Sequence, residues 1–306
     1  MRIATFNVQN MRLRADGHLD GARDEDVPAD RRTATAFDAL DRRLTAAVLK
    51  EADADIVALQ EVFDQATLDY FHDTVLVPAG VAPYPHRICR PGNDGRGLDV
   101  ALMSRVRIDR SVSHADATPA SLGLDAIAEV GAEERVFRRD CLEVTAGSLT
   151  LFVCHLKAPY PDPDIAWRLR RLEASAVRRL VERRFPDAAA ALWLILGDLN
   201  ETVERQAGNG PAIAPILGNF SADLMLRLPE RERWSYHQPP AHPFGRPDGF
   251  FASPALARRW PTAVPRVIRL GLGGAEGGFI GAGGGAGWHH PHASDHAALV
   301  IDLEGL

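Results

Sequence analysis

The sequence predicts an α/β (α+β) protein in which helices cover a large β core, and three observations carry that reading. Short apolar runs of strand character recur along all 306 residues. Two segments with helical spacing, 33–52 and 165–185, stand between such runs. No fixed-period repeat and no linker divides the chain, so a single domain over 1–306 is expected, with helices layered on sheet.

Residues 2–8 form the first predicted strand. The stretch 12–32 is polar, mixed in charge and broken by Gly17, Gly21 and Pro28, which reads as an exposed loop. Over 33–52 the residues Phe37, Leu40, Leu44, Ala47 and Val48 recur at helical spacing, and 56–59 is an apolar run ending at Gln60-Glu61. Together they make a strand–helix–strand unit. Further strands are predicted at 99–104, 136–144, 149–155, 192–196, 249–252, 263–269 and 297–303. The helix over 165–185 has an apolar stripe of Ile165, Leu169, Leu172, Ala176, Leu180 and Val181, with its seven arginines directed elsewhere. In 271–287 ten of seventeen residues are glycine, and the run leads into Trp288-His289-His290-Pro291-His292. It lacks the GK[ST] ending of a nucleotide-binding loop, so 271–292 reads as a Gly/His-rich surface loop, a lid beside an active site being the sharper alternative.

The chain carries 35 Lys+Arg against 41 Asp+Glu, a formal net charge of −6, which excludes a basic nucleic-acid coat while leaving room for a local basic face. Apolar residues at 46% and charged ones at 25% match ordinary globular usage, so disorder is not the default. Cys89, Cys141 and Cys154 form no CxxC pair, and the odd count points to buried, reduced thiols of a cytoplasmic protein. The opening Arg2-Ile3-Ala4-Thr5-Phe6 leaves no room for a secretory leader, and no apolar run reaches the ~18 residues of a membrane span.

Apolar runs repeatedly end in a residue suited to metal or acid–base chemistry. The first ends at Asn7, the second at Glu61, a third at His155, and a fourth enters Asp198-Leu199-Asn200. Asp248 precedes Gly249-Phe250-Phe251, and Ser294-Asp295-His296 precedes the last apolar strand. Such groups cost free energy when buried unpaired, so their placement calls for an ion or a hydrogen-bond network. Taken singly each has a plainer reading: Asn7 a turn former, Asp198-Leu199-Asn200 an Asx-turn or cap, Glu61 a helix-start residue. Those readings predict neither the shared order nor the repeated position at strand ends.

In the order Phe6-Asn7, Leu59-Gln60-Glu61, Cys154-His155-Leu156, Gly197-Asp198-Leu199-Asn200, Arg246-Pro247-Asp248 and Ser294-Asp295-His296, the chain resembles the endonuclease/exonuclease/phosphatase (deoxyribonuclease I-like) superfamily over residues 5–300. The resemblance implies a four-layer sandwich of two packed, mostly antiparallel β-sheets flanked by helices. It also implies phosphoester hydrolysis dependent on Mg²⁺, with Mn²⁺ as a substitute. It would put Glu61 on the metal with Asn7 and Asp295 at or near it. Asp198 would orient or deprotonate the attacking water, Asn200 would hold that water or a phosphate oxygen, and His155 and His296 would contact the scissile phosphate, with Asp248 turned toward His296. The residue types suit these roles: Mg²⁺ prefers oxygen ligands, and a carboxylate on an imidazole fixes its tautomer and favours its protonated form.

Asp99 is a further candidate at the substrate, weighed against a strand-edge carboxylate. Arg138 and Arg139 are candidate phosphate clamps, weighed against arginines paired on the surface, and His289, His290 and His292 a candidate transition-metal site, weighed against solvated loop histidines because no spacing matches. The signatures of the superfamily's inositol-polyphosphate phosphatases, abasic-site endonucleases and sphingomyelinases are not met. Lys157 and the +5 charge of 165–185 point to an extended polyanion, so a nucleic-acid phosphodiester is the leading substrate. A phosphomonoesterase or lipid phosphodiesterase uses the same core residues, and a non-catalytic binding scaffold would be expected to lack some of them. No protein partner is legible.

Overall fold

The computed structural model describes residues 1–22, 31–201, 210–238, 242–272 and 291–306. In chain order its elements are β1 (Arg2–Met11), α1 (Arg31–Ala52), β2 (Ile56–Val62), α2 (Gln65–Phe71), β3 (His86–Cys89), β4 (Asp99–Ser104), β5 (Arg110–Ser113), α3 (Pro119–Leu122), β6 (Cys141–Ala146) and β7 (Leu149–His155). There follow α4 (Pro163–Arg184), β8 (Trp193–Asp198), β9 (Ala222–Asp223), β10 (Tyr236–Gln238), β11 (His242–Gly245), β12 (Asp248–Ala252), α5 (Pro254–Arg259), β13 (Arg266–Ile268) and β14 (Ala298–Asp302). One six-stranded sheet has the order β13-β14-β1-β2-β4-β3, a second has β5-β6-β7-β8-β12-β9, and β10-β11 pair separately.

Each large sheet contains one parallel pair bridged by a long helix, β1-α1-β2 in the first and β7-α4-β8 in the second; among the described residues every other pairing between these strands is antiparallel. The period-2 alternation of a strand then sorts side chains into layers. Ala4, Phe6, Val57 and Leu59 pack outward under Val48, Leu49 and Ala52 of α1. Ile3, Ile56, Leu151, Val153, Leu194, Leu196 and Phe250 face inward and fill the space between the sheets. Phe152, Cys154, Trp193, Ile195 and Phe251 pack outward under Leu169, Leu172, Val177 and Leu180 of α4. The result is the expected four-layer α/β sandwich, and strands covered on both faces explain the continuous apolar runs.

Several expectations are corrected. Strand β6 starts at Cys141 rather than 136, because Arg139 and Asp140 turn inward to polar partners, with Asp140 Oδ1 accepting from the His114 N–H at 2.8 Å. The buried face of α1 is offset from the predicted stripe. Asp41, Arg42 and Thr45 are buried and Leu40, Leu44 and Ala47 only half so, because Arg42 donates to the carbonyls of Val8 (2.6 Å), Gln9 (2.7 Å) and Asp20 (2.5 Å). In α4, Arg170 and Glu173 are buried while Ile165 is 37% exposed in the first turn, capped by Asp162. Within 12–32, Leu19 and Ala22 are buried and 31–32 already belong to α1; residues 23–30 lie outside the described residues, as do 273–290 of the Gly/His-rich stretch. All three cysteines are buried and none is disulfide-bonded. Among the described residues no helix is long and apolar enough to cross a membrane.

Candidate active site

Strand direction assembles the site. Parallel β7 and β8 end together, so His155 and Asp198 are direct register partners; β12 runs antiparallel to β8, so its first residue, Asp248, lies opposite Asp198 from the other side. All three continue the inward parity of Val153, Leu196 and Phe250. Asn7 continues the inward parity of Ile3 from the opposing sheet, and its Nδ2 donates to Asp198 Oδ2 at 3.0 Å. Gly197 makes the approach possible: its φ is +131°, and a Cβ there would lie 2.0 Å from the Cys154 carbonyl oxygen.

Around this row the backbone leaves regular geometry. The β1–β2 register shifts between Asn7 and Met11, and the β2–β4 register shifts at Glu61. Among the described residues five non-glycines have positive φ, and four of them, Gln9, Asn10, Glu61 and Asn200, stand at this end of the sandwich. Such conformations cost about 1–3 kcal/mol each and persist where surrounding structure enforces them. Here they aim side chains. Glu61 Oε1 accepts from Asn7 Nδ2 at 3.2 Å and Oε2 from the Asn10 N–H at 2.9 Å. The Asn200 N–H donates to Asp198 Oδ1 at 2.9 Å, and its Nδ2 donates to the Leu156 carbonyl at 3.0 Å.

The two histidines flank Asp198 and differ in charge. His155 Nε2 lies 3.5 Å and His296 Nε2 3.8 Å from Asp198 Oδ2. Burial, then Arg139 and His296, hold the His155 ring well below the usual imidazole range, so it is neutral. Burial alone would push His296 the same way, but Asp248, Asp198 and Asp295 outweigh it and keep that ring protonated. Its Nδ1 meets Asp248 Oδ2 at 2.9 Å, an oxygen that also accepts from Ser235 Oγ at 2.7 Å. Asp198 is pushed up to about 6, first by burial and then by Asp248, with His296 opposing. Asp295 is half-buried and anchored through its N–H to Gln9 Oε1 at 3.0 Å, while Ser294 Oγ donates to the Asn7 carbonyl at 2.7 Å.

A hard divalent cation fits this donor set. Ligand atoms of Asp198, Asp248 and His296 lie within 4.8 Å of one another, and Asp248 Oδ1 is buried with no hydrogen-bond partner among the described residues. The His296–Asp248 bond occupies that pair with a proton, and Asn7 turns its Nδ2 to Glu61 Oε1 and Asp198 Oδ2 while its Oδ1 accepts from the Gln9 N–H, which favours the carboxylate oxygens of Glu61 and Asp198 as the cation side.

Other predicted residues are placed elsewhere. Lys157 Nζ is bound to the carbonyls of Ala158, at 2.9 Å, and Tyr160. The Arg138 guanidinium reaches the Glu129 carbonyl at 3.5 Å. Asp99 is buried, pushed up to about 6 by desolvation, with Oδ1 lacking a partner among the described residues. His292 bonds Gln9 Oε1 at 3.1 Å, while His289 and His290 lie outside the described residues. The arginines of α4 are largely engaged: Arg168 with Glu129, Arg178 with Glu182, Arg184 with Glu143, Arg183 with the Ser121 carbonyl. Sequence reasoning missed Gln9, Asn10, Ser235 and Ser294 as supports. It weighed Arg139 as a clamp or a surface pair, whereas this buried guanidinium pairs with Asp94 at 3.1 Å and donates to the Leu156 carbonyl at 3.2 Å.

Two helix-covered sheets with histidines and carboxylates converging at one end define an α/β-sandwich phosphoesterase fold. The chain belongs to the Endonuclease/Exonuclease/phosphatase family, whose model matches residues 4–296. Among solved structures it is similar to truncated Caenorhabditis elegans TDP2, at 15% identity over 98% of this chain and 96% of that one, with a TM-score of 0.55. An AP endonuclease from Archaeoglobus fulgidus gives 15% identity over 99% of both chains and a TM-score of 0.58. The mannosyl-6-phosphatase Bt3783 of Bacteroides thetaiotaomicron VPI-5482 gives 14% identity over 99% and 98% and a TM-score of 0.57. No curated protein matches the sequence.

Proposed function

We propose that this protein is a divalent-cation-dependent phosphoester hydrolase that cleaves phosphodiesters, nucleic acid first among them, by direct attack of water. The observation that carries the reading is the Asp198 carboxylate set between a neutral and a protonated imidazole, 3.5 and 3.8 Å away, with the Asn7 amide at 3.0 Å. Glu61, with Asn7 and Asp295, would hold Mg²⁺ or its substitute Mn²⁺, which when bound offsets charge on the phosphoryl and leaving oxygens. Asp198 orients water and takes its proton; a carboxyl pushed up to about 6 is a stronger base than an exposed aspartate. His296, kept charged by Asp248, donates to a non-bridging phosphoryl oxygen, and His155 donates from its neutral ring. Asn200 holds the turn that aims Asp198 and presents its amide oxygen to the water.

In this reading Lys157 and Arg138, now bonded to backbone carbonyls, and the buried Asp99 would act on substrate only from the periphery, and the three buried thiols suit a cytoplasmic protein. The test is a panel of DNA, RNA, bis-nitrophenyl phosphate, phosphomonoesters and a phospholipid, each with Mg²⁺, Mn²⁺ or EDTA. Cation-dependent cleavage of the diesters is expected. Turnover of monoesters alone would replace the substrate class, and turnover that survives EDTA would sink the mechanism.

A further inference from the structure

Beyond the ladder the chain continues as Leu156-Lys157; Leu156 still bonds the last residue of β8, while among the described residues no strand pairs with Lys157. The backbone groups of both are satisfied all the same. The Leu156 N–H donates to the Asp198 carbonyl at 3.0 Å, and the Leu156 carbonyl accepts from Asn200 Nδ2 at 3.0 Å and Arg139 at 3.2 Å. The Lys157 peptide groups are taken by side chains of α4: its N–H donates to Glu173 Oε2 at 2.7 Å, and its carbonyl accepts from the Arg170 guanidinium at 2.7 Å. Glu173 Oε1 also accepts from the Arg138 N–H at 2.8 Å, while Arg170 Nε lies 3.8 Å from Glu201 Oε2, which accepts from the Ile213 N–H at 3.0 Å.

Both side chains are buried, Arg170 at 3% and Glu173 at 0% exposure, three residues apart on the face of α4 that is otherwise apolar. Buried charged side chains of this kind, Glu173 on backbone N–H groups and Arg170 paired with Glu201 at 3.8 Å, give little net stability compared with well-packed apolar residues, so their presence calls for another role. The Glu173 carboxylate spans the two backbone N–H groups with one oxygen for each, and the long Arg170 side chain returns to the carbonyl of the same Lys157. The helix thus supplies the hydrogen bonds that a further strand would have supplied, directly behind His155 and Asn200.

We propose that Glu173 and Arg170 are positioning residues for the reaction, fixing the Lys157 peptide and the Glu201 turn and through them the placement of His155 and Asn200 against Asp198. The catalytic part of this inference rests on the hydrolase reading above; the bracing part does not. Glu173→Gln, Arg170→Met and Arg170→Lys are compared with wild type, using backbone amide exchange, the His155 ring resonances, and kcat and KM on bis-nitrophenyl phosphate. In Glu173→Gln the Arg138 and Lys157 amides are expected to exchange at least about tenfold faster, with the β8 core unchanged and the His155 resonances shifted. Its kcat should fall by about 10- to 100-fold with KM within about threefold, as misplacement of reacting groups produces. Arg170→Met should lose kcat similarly, and Arg170→Lys should restore it to within about threefold by keeping a donor.

Unchanged kcat in both loss variants, or exchange rising uniformly over the molecule, overturns the proposal. If Glu173→Gln does not fold, the Met and Lys variants at 170 decide it: equal kcat for both overturns it. If wild type cleaves nothing in the panel, the hydrolase reading fails, and unchanged exchange at Arg138 and Lys157 would independently overturn the brace.

Discussion

Asp198 is held by three donors or cations that all converge on a desolvated carboxylate pushed up to about 6. Replacing it with asparagine keeps the shape and the Oδ1 acceptor for the Asn200 N–H, and removes the proposed base. Asp198→Asn should therefore lose turnover by at least about 10³-fold while the melting temperature stays equal or rises, as happens where a site holds a costly buried charge. Circular dichroism melting beside the diester assay checks both halves, and retained turnover would remove Asp198 from its role. Asp99 gives a pH-dependent counterpart. Burial raises it from 3.8 to about 6, with the Asp140 and Asp94 carboxylates adding to the rise and the Gly92 N–H and Arg139 opposing it. A carboxyl raised in the folded state stabilises that state fully only below its unfolded value, and the contribution is lost as pH rises through about 6. Asp99→Asn should accordingly stabilise the protein at pH 8 and leave it unchanged at pH 4, a difference that urea titrations at the two pH values would read.

At the scale of elements, the strands that carry the site were legible because they are long, apolar and covered on both faces: 149–155 appears at the predicted bounds, and 192–196 extends by two residues into Asp198. What remained hidden was short and polar. The strands at His86–Cys89 and Arg110–Ser113 lie at sheet edges, where one neighbour suffices and little apolar alternation is needed. The six motifs named the residues that the structure converges, yet not how Glu61 is aimed, because a bulge with φ of 66° leaves no periodic signature. Nor did helical spacing reveal Arg42, Arg170 and Glu173 as buried, since a charged residue inside a stripe reads as exposed until its backbone partners are known. Between the parallel neighbours β7 and β8, Gly197 faces Cys154 with no room for a side chain. Gly197→Ala should cost at least about 3 kcal/mol, since the added methyl meets backbone that cannot move aside and φ is unsuited to alanine. Chemical denaturation measures it, and a loss below about 1 kcal/mol would mean that the two strands can separate at this point without breaking the ladder.

For the whole molecule, the proposed nucleic-acid substrate raises the question of how a chain of net charge −6 would meet a polyanion. The +5 of the 165–185 segment offered a basic face, but its arginines answer to Glu129, Glu182, Glu143 and backbone carbonyls, and Arg170 points inward. Meanwhile Glu61, Asp198, Asp248 and Asp295 gather at one end of the sandwich, so substrate approaching without a cation meets a concentrated negative field. In the proposed reading attraction would be local and conditional on a cation that offsets this cluster. Duplex DNA should bind the cation-free protein weakly at 150 mM salt. The slope of log K against log salt should be about −1 to −3, because few phosphates are neutralised. Fluorescence anisotropy with Ca²⁺ added against EDTA reads the difference: tighter binding with the ion at constant ionic strength is expected. A steep slope that is indifferent to the ion would instead reveal a basic surface independent of the Asp198 end.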